Sequence, residues 1–218
     1  MTLSRKGAKY AKSAVNNQEK TCIYSEFLSA ATTFKASLSL TFDNENLSYE
    51  ELTKKVDIYS GYLAAAGVSS GVAVGVLLEK TTDYVALYLA ICKLNAVFVP
   101  LDPSAPRSRL AYMLADAAVA VLVTEQAREH ESLYNMTCCA LDGTVYGYDL
   151  NKYFRVYSKP GYVIYTSGST GQPKGVFVGN AALLAHIQQI SPLFALSSAD
   201  VLLHVNAFTF DAALELLW

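Results

Sequence analysis

The sequence has few charged residues and no marked excess of either sign. Charged side chains make up 17% of its 218 residues, and 17 basic against 19 acidic ones give a net charge of −2. With 52% hydrophobic residues, the composition excludes an intrinsically disordered chain and provides for a core of ordinary size. The near-balance of charge gives no field that would attract DNA, RNA or an anionic membrane. We therefore expect no nucleic-acid or membrane partner, and any charged ligand must be bound at a local site.

Paired cysteines and a metal-binding pattern are also missing from the sequence. The four cysteines form no Cys-x-x-Cys pair, and no histidine stands at metal-ligand spacing from them. The N-terminal residues do not read as a signal peptide. We therefore expect reduced, mostly buried thiols and a cytoplasmic protein. The cysteines in question are Cys22, Cys92, Cys138 and Cys139.

The longest apolar stretch, residues 84–101, is broken by polar residues and a proline. Lys93, Asn95 and Pro100 interrupt it, and its hydrophobic pattern changes midway from helical to strand-like. A transmembrane helix and a buried helix followed by a strand are the two interpretations. The interruptions favour the second, because a membrane span needs about 20 predominantly apolar residues.

The first residues of the chain are basic. Residues 1–18 contain four basic side chains and no acidic one. An organelle transit peptide has a similar composition. Because the apolar residues here form no continuous stripe, we favour a flexible, solvated tail over residues 1–20.

Helical and strand-like patterns alternate along the rest of the chain. Ser48 and Glu51 form a capping-box pattern at the start of one helix, which Gly67 ends. Further helices are predicted over about 23–34, over 82–94, from Pro106 and over 180–190, and strands over 38–42, 72–78, 96–102, 119–124, 161–165 and 201–205. This alternation predicts an α/β fold with helices packed on a largely parallel sheet. Residues 125–160 are too mixed in pattern to predict boundaries.

A polar, glycine-rich loop follows the apolar stretch at 161–165. Residues 165–176 read YTSGSTGQPKGV. Glycines let backbone N–H groups surround an anion, while hydroxyl groups and a lysine add donors and positive charge. Phosphate is the ligand that this composition predicts. An exposed Gly/Ser turn is the alternative, but it explains neither the lysine nor the density of donors beside an apolar strand.

This loop differs from the phosphate loop of nucleoside triphosphatases. That pattern has Gly-Lys-Ser/Thr opening a helix, whereas here Pro173 precedes Lys174 and Gly175 follows it. Proline fixes φ and removes a donor, so a helix running through the lysine is excluded. The segment is therefore predicted to continue as a bend or a short strand.

The twelve residues YTSGSTGQPKGV resemble the phosphate-loop signature of the adenylate-forming superfamily, which includes acyl-CoA synthetases, luciferases and the adenylation domains of nonribosomal peptide synthetases. LSYEEL (47–52) resembles an early motif of the family, and residues 87–117, which contain VPLDP, resemble a segment typical of peptide-synthetase members. One departure is Asn95, where that segment usually carries glycine. Asparagine tolerates left-handed backbone geometry, so we predict a local adjustment rather than a different fold. The resemblance covers about residues 22–218.

The resemblance implies a reaction and a set of binding residues. In the family, a carboxylate attacks the α-phosphorus of Mg²⁺-bound ATP, pyrophosphate leaves, and the acyl adenylate passes to a thiol such as the phosphopantetheine of a carrier protein. ATP and Mg²⁺ are thus the implied cofactors, although no metal ligand is identified. Thr166 and Lys174 are the candidate catalytic residues. The positions carried over to the β- and γ-phosphates are Thr166, Ser167, Gly168, Ser169, Thr170, Gly171 and Lys174.

The stretch FTFDAALELLW (208–218) resembles the substrate-pocket motif of the same family. In amino-acid-activating members the aspartate, here Asp211, is a buried acid that holds the substrate α-ammonium group. Relatives that activate fatty or aryl acids often have a histidine where Phe210 stands, so the resemblance favours an amino acid. A helix N-cap is the alternative role for Asp211.

Glu215 lies four residues after Asp211, on the same face if Asp211 opens a helix. Family members more often have an aromatic residue at this offset and an acid one place later. Read without a gap, Glu215 enters the substrate pocket and predicts a cationic substrate side chain, such as that of lysine or ornithine. A register slip of one residue, which would leave Glu215 a structural acid, remains equally open.

The resemblance also predicts which parts of the family are missing. The chain stops at Trp218 within an apolar helical pattern, before the family's ribose-binding acid, its hinge and its C-terminal domain with the main adenylation lysine. We therefore expect residues 21–218 to be part of the large N-terminal domain and inactive alone. Three hypotheses remain: a fragment of an amino-acid-adenylating ligase, a fragment of an acyl- or aryl-CoA ligase, and a non-catalytic remnant.

Overall fold

Helices and strands alternate along the chain in the computed structural model, which describes residues 22–147, 156–167, 172–195, 197 and 200–215. The helices are α1 (Ile23–Thr33), α2 (Tyr49–Ala65), α3 (Thr82–Lys93), α4 (Arg107–Asp116), α5 (Ala127–Tyr134), α6 (Asn180–Ile190) and α7 (Asp211–Glu215), with a 3₁₀ turn at Ser191–Phe194. The strands are β1 (Leu38–Phe42), β2 (Glu45–Ser48), β3 (Ala73–Leu77), β4 (Val97–Leu101), β5 (Val121–Thr124), β6 (Thr137–Cys139), β7 (Val145–Tyr146), β8 (Gly161–Thr166) and β9 (Lys174–Gly179). The predicted N-terminal tail, 1–20, lies outside the described residues.

Seven strands form one sheet in the order β7-β6-β5-β3-β4-β8-β9. The five inner strands are parallel, and each edge strand pairs antiparallel with its neighbour. β1 and β2 form a separate antiparallel hairpin. The prediction of an α/β fold with a largely parallel sheet is therefore confirmed.

Helices cover both faces of the seven-stranded sheet. Helices α1, α2, α3 and α6 pack on one face, and α4 with the start of α5 packs on the other. In β3, for example, Val74 and Val76 belong to the first hydrophobic cluster, whereas Leu77 belongs to the second. A strand buried on both faces has to be apolar throughout, which is why residues 72–78 read as an uninterrupted hydrophobic run.

The predicted helix starts and ends are largely where the structure has them. Ser48 caps α2 and its hydroxyl accepts from the Glu51 N–H at 3.3 Å, while the Glu51 carboxylate accepts from the Ser48 N–H at 2.8 Å. The stretch 84–101 is helix α3 followed by strand β4, as predicted. Within the described ranges, no helix is long and apolar enough to cross a membrane. The four cysteines form no disulfide, and three of them are buried while Cys22 is half-buried.

Asn95 ends α3 in the left-handed conformation that its glycine-like position requires. Its φ is 53°. The Asn95 N–H donates to the Cys92 carbonyl at 3.0 Å, and the Ala96 N–H donates to the Ile91 carbonyl at 3.1 Å, which together make a Schellman-type helix end. The predicted local adjustment is confirmed, because asparagine adopts this geometry with little strain.

The strand predicted over 201–205 is wrong. Residues 201–205 form neither helix nor strand, and the side chains of Val201 and Leu203 are 93% and 80% exposed. An apolar run becomes a strand only when a neighbouring strand accepts and donates its backbone hydrogen bonds. None of the strands in the described part of the chain pairs with this run. Within 125–160, where no boundaries were predicted, the structure has α5, β6 and β7.

Substitutions at Asn95 test the left-handed helix end. We expect Asn95→Gly to stay within about 0.5 kcal/mol of the parent in free energy of unfolding, because glycine accepts the geometry but adds entropy to the unfolded chain. Asn95→Val should lose roughly 1–2 kcal/mol, since a β-branched residue is strained at positive φ. Urea unfolding measures both. Asn46→Val in β2 is the control, and an equal loss at Asn46 and Asn95 would contradict the explanation.

Candidate functional site

The loop predicted to bind phosphate joins the two strands of a β-hairpin. β8 and β9 pair antiparallel from Gly161 opposite Gly179 to Thr166 opposite Lys174. The prediction that the chain continues after Pro173 as a short strand is thus confirmed. The predicted residues Gly168, Ser169, Thr170 and Gly171 lie outside the described residues. The structure does bring the two described ends of the loop together, and Thr166, Ser167 and Lys174 are all exposed there.

The hairpin points its loop toward the carboxyl edge of the sheet. β8 runs parallel to β4, which in turn runs parallel to β3, so Thr166 lies at the end of the sheet where these strands finish. In open α/β sheets, ligands bind outside the carboxyl ends of the strands. The exposed hydroxyls and the Lys174 ammonium therefore lie at the sheet edge where folds of this kind bind ligands.

The predicted substrate residues occupy a short helix in a different part of the chain. Asp211 is the first residue of α7, which is the condition on which the interpretation of Glu215 rested, and its carboxylate accepts a hydrogen bond of 2.9 Å from the Ala212 N–H. The Asp211 side chain is exposed rather than buried, because it is the neighbouring Ala213 and Leu214 that α7 turns inward. Phe210 is 64% exposed. The side chain of Glu215 lies outside the described part of α7.

An aromatic stack, which the sequence analysis did not identify, holds the segment before α7 against α3. The Phe208 ring is buried and stacks on Tyr84 with ring centroids 4.0 Å apart and an interplanar angle of 6°. His204 also packs against Phe208, with ring centroids 4.7 Å apart. Tyr84 lies in the first turn of α3, which follows β3, so this stack is also at the carboxyl edge of the sheet.

Two polar contacts complete this attachment. His204 Nε2 donates to the Ala213 carbonyl at 2.8 Å, and because a carbonyl can only accept, Nε2 carries the proton. Lys80 Nζ donates to the His204 carbonyl at 3.0 Å. Lys80 and His204 are 124 positions apart. Residues 204–208 (HVNAF) adjoin the substrate motif. Their sequence contains no pattern that predicts a contact with Lys80, because the two segments are so far apart in the chain.

Acidic metal ligands were not predicted, and the described residues show no group of three or more His, Cys, Asp or Glu side chains that would hold a metal ion. Magnesium usually keeps several waters and is bound through substrate phosphates with one or two carboxylates. The donors at the hairpin, which are hydroxyls and an ammonium group, suit phosphate oxygens rather than the metal itself.

Comparison with known sequences agrees with this fold. Residues 27–218 match the model of the family described as AMP-binding enzyme. Zwittermicin A synthase ZmaJ of Bacillus cereus is 30% identical over 204 residues, which are 91% of this chain and 39% of the relative. This chain thus spans well under half of the length of ZmaJ.

Two solved structures resemble the fold. VinN in complex with L-aspartate superposes with a TM-score of 0.77 and 21% identity, covering 90% of this chain and 54% of its own, and this likeness shows the fold alone. The nonribosomal peptide synthetase FmoA3 in its AMPPNP-bound form superposes with a TM-score of 0.73 and 25% identity, covering 90% of this chain and 22% of its own. Since the family model itself extends from residue 27 to residue 218, the chain belongs to the AMP-binding family of adenylate-forming enzymes.

Proposed function

We propose that this chain is the N-terminal part of an AMP-forming ligase that uses ATP to activate an amino acid. The observation that carries the proposal is the β8–β9 hairpin, which sets Thr166 opposite Lys174 at the two ends of a segment rich in glycine and hydroxyl groups. Backbone N–H groups, hydroxyls and an ammonium group at one sheet edge match the needs of a triphosphate. The AMPPNP bound to the FmoA3 relative supports ATP as the ligand.

In the proposed reaction the protein positions charges rather than forming covalent bonds. A carboxylate oxygen of the amino acid attacks the α-phosphorus, the bond from that phosphorus to the bridging oxygen breaks, and pyrophosphate leaves. Thr166, Ser167 and Lys174, with Gly168–Gly171 between them, would bind the β- and γ-phosphates. The Lys174 ammonium would offset the negative charge that develops on the leaving pyrophosphate. Mg²⁺ would arrive bound to the phosphates.

The proposed substrate is an amino acid, held through its α-ammonium group by Asp211. The motif around Asp211 and its position at the start of α7 support this role. VinN, which shares the fold, is an example of a protein of this fold with an amino acid, L-aspartate, bound. Phe210 would line the same pocket. A carboxylate that faces an ammonium group offsets the cost of taking either charge out of water.

Glu215 extends the proposal to the class of amino acid. Asp211 and Glu215 are the first and last residues of α7, so they stand one turn apart in one helix. A second carboxylate at that place would favour a substrate with a cationic side chain, such as lysine or ornithine. The alternative is that Glu215 is a structural acid displaced by one position. In that case Glu215→Gln would leave the preference for basic amino acids unchanged.

The proposal concerns a longer catalytic unit. The chain spans 39% of ZmaJ and 22% of the FmoA3 chain. We therefore propose that other segments supply the main adenylation lysine, that the 218 residues are inactive alone, and that the adenylate passes to the phosphopantetheine thiol of a carrier protein in the cytoplasm.

Exchange of labelled pyrophosphate into ATP tests the reaction. With the protein encoded by the complete gene, we expect exchange that depends on one amino acid from a panel of the twenty standard ones plus ornithine. Fatty and aryl acids serve as controls. Exchange with those acids alone would move the assignment to an acyl- or aryl-CoA ligase and leave Asp211 as a helix cap. A folded protein that is silent with every acid would contradict ligase activity.

The variant Glu215→Gln tests the substrate class. We expect it to lower the preference for a basic over a neutral amino acid, measured as the ratio of kcat/KM values, by about tenfold to a hundredfold, because one charged hydrogen bond is lost. Glu129→Gln is the matched control, since Glu129 is an exposed acid of α5 paired with Arg107. If Glu215→Gln leaves the ratio unchanged, Glu215 is a structural acid and the cationic substrate is wrong.

A further inference from the structure

The last residue of β8 before Thr166 is tied to a helix on one face of the sheet. The hydroxyl of Tyr165 lies 2.8 Å from Oδ2 of Asp116 and 3.1 Å from the Met113 carbonyl. A phenol has one proton, so the shorter contact to the carboxylate is the main hydrogen bond. Tyr165 and Asp116 are 49 positions apart.

The partners of Tyr165 belong to the last turn of α4. The Met113 carbonyl already accepts from the Ala117 N–H at 3.0 Å, so the Asp116 carboxylate is the main acceptor for the Tyr165 hydroxyl. Burial and the neighbouring Asp116 carboxylate both raise the pKa of Tyr165. The hydroxyl therefore stays protonated at neutral pH and remains a donor to α4.

The same side chain also packs against the strand that carries Lys174. Tyr165 stands opposite Gly175 in the hairpin register. A Cβ atom placed on Gly175 would lie 3.0 Å from ring carbon Cζ of Tyr165, which is too close for an ordinary contact. Glycine at this position lets the ring lie directly over β9. Tyr165, which belongs to β8, thus also packs against β9 next to the ends of the loop.

This end of the hairpin has little support from the rest of the sheet. Paired residues join β8 to β4 at Gly161 and Tyr162, whereas pairing with β9 continues to Thr166. The Val97 N–H donates to the Val72 carbonyl, on the β3 side of β4. Successive backbone N–H groups of a strand point to opposite sides, so the N–H position of residue 100 faces β8. Pro100 has no N–H to donate there. Beyond the buried side chains of Val163 and Ile164, the outer end of β8 is held by its pairing with β9 and by the Tyr165 side chain.

We propose that Tyr165 and Asp116 form an anchor that holds Thr166 and Lys174 in position for the phosphates of ATP. The anchor rests on the proposed function, and Tyr165 is a positioning residue in it: its hydroxyl is engaged with α4 and touches no reacting atom. Preorganised donors bind a charged ligand without the cost of ordering them at the moment of binding. Removing the anchor should weaken the binding of the phosphates and spare the binding of the nucleoside.

Tyr157 offers a matched control in the same part of the fold. Its hydroxyl donates to the Ala117 carbonyl at 3.0 Å, beside the end of α4, and its ring stacks on Phe177 of β9 at 5.3 Å. Phe177 stands opposite Val163, three pairs away from Lys174. Tyr157→Phe therefore removes a tyrosine hydroxyl that donates to the same helix end, here to a backbone carbonyl, at a distance from the loop.

Calorimetric titration of the protein encoded by the complete gene with ATP and with adenosine tests the anchor. We expect Tyr165→Phe and Asp116→Ala each to weaken ATP binding about tenfold, the value of one hydrogen bond to a charged group. The double variant should bind ATP as tightly as either single variant, because both substitutions remove the same contact. Asp116→Asn, which keeps an acceptor oxygen, should restore most of the affinity. Tyr157→Phe should bind ATP like the parent, and adenosine affinity should change in none of them.

Three results would overturn the anchor: parental ATP affinity in Tyr165→Phe, an equal loss in Tyr157→Phe, or an equal loss of adenosine affinity. A parent protein, encoded by the complete gene, that binds no ATP would instead contradict the proposed function. Amide hydrogen exchange over residues 161–167 and 172–179 then tests the anchor independently of ATP binding, because it measures how often the hairpin backbone opens. Faster exchange in Tyr165→Phe and Asp116→Ala, but not in Tyr157→Phe, supports it, and unchanged exchange in all three overturns it.

Discussion

The backbone pairing of β8 with β9 is the constraint on which the account of this protein depends. It fixes Thr166 opposite Lys174, so a hydroxyl and an ammonium group separated by seven residues of chain share one place at the sheet edge. The antiparallel register also explains two glycines in physical terms. Gly175 leaves room for the Tyr165 ring, and Gly161 lets the backbone of β9 pass close by, since a Cβ there would lie 2.9 Å from the Cα of Gly179.

The rest of the fold brings distant segments to that edge. Five parallel strands finish on one side of the sheet, and helices on both faces bury them. Two side-chain attachments then fix segments at that edge. Tyr165 joins the outer end of the hairpin to α4, and Phe208 stacked on Tyr84 joins the segment before α7, which pairs with none of the described strands of the sheet, to α3. The first serves the proposed phosphate site and the second carries Asp211. Both use aromatic rings, which combine a large apolar contact with few rotatable bonds.

Local features of the sequence predicted local structure well. The capping box at Ser48 and Glu51, the left-handed Asn95 and the helix over 180–190 depend on neighbouring residues and agree with the structure. The failure at 201–205 has a different origin, because strand formation there depends on a partner strand that the apolar pattern does not specify. The Tyr165–Asp116 and Lys80–His204 contacts join residues far apart in the chain, so no spacing rule finds them. The motif at 165–176 marked the site because its glycines and donors are contiguous.

The central claim is that the β8–β9 hairpin binds the triphosphate of ATP through Lys174. Its most direct test is the rate at which an amine-reactive reagent labels Lys174, followed by mass spectrometry, with exposed Lys159 near the start of β8 as the internal reference. The account predicts that Mg²⁺-bound ATP and tripolyphosphate both slow the labelling of Lys174, that adenosine does not, and that Lys159 is unaffected. Labelling of Lys174 that stays constant at saturating ATP, or that adenosine slows as much as ATP, would contradict it.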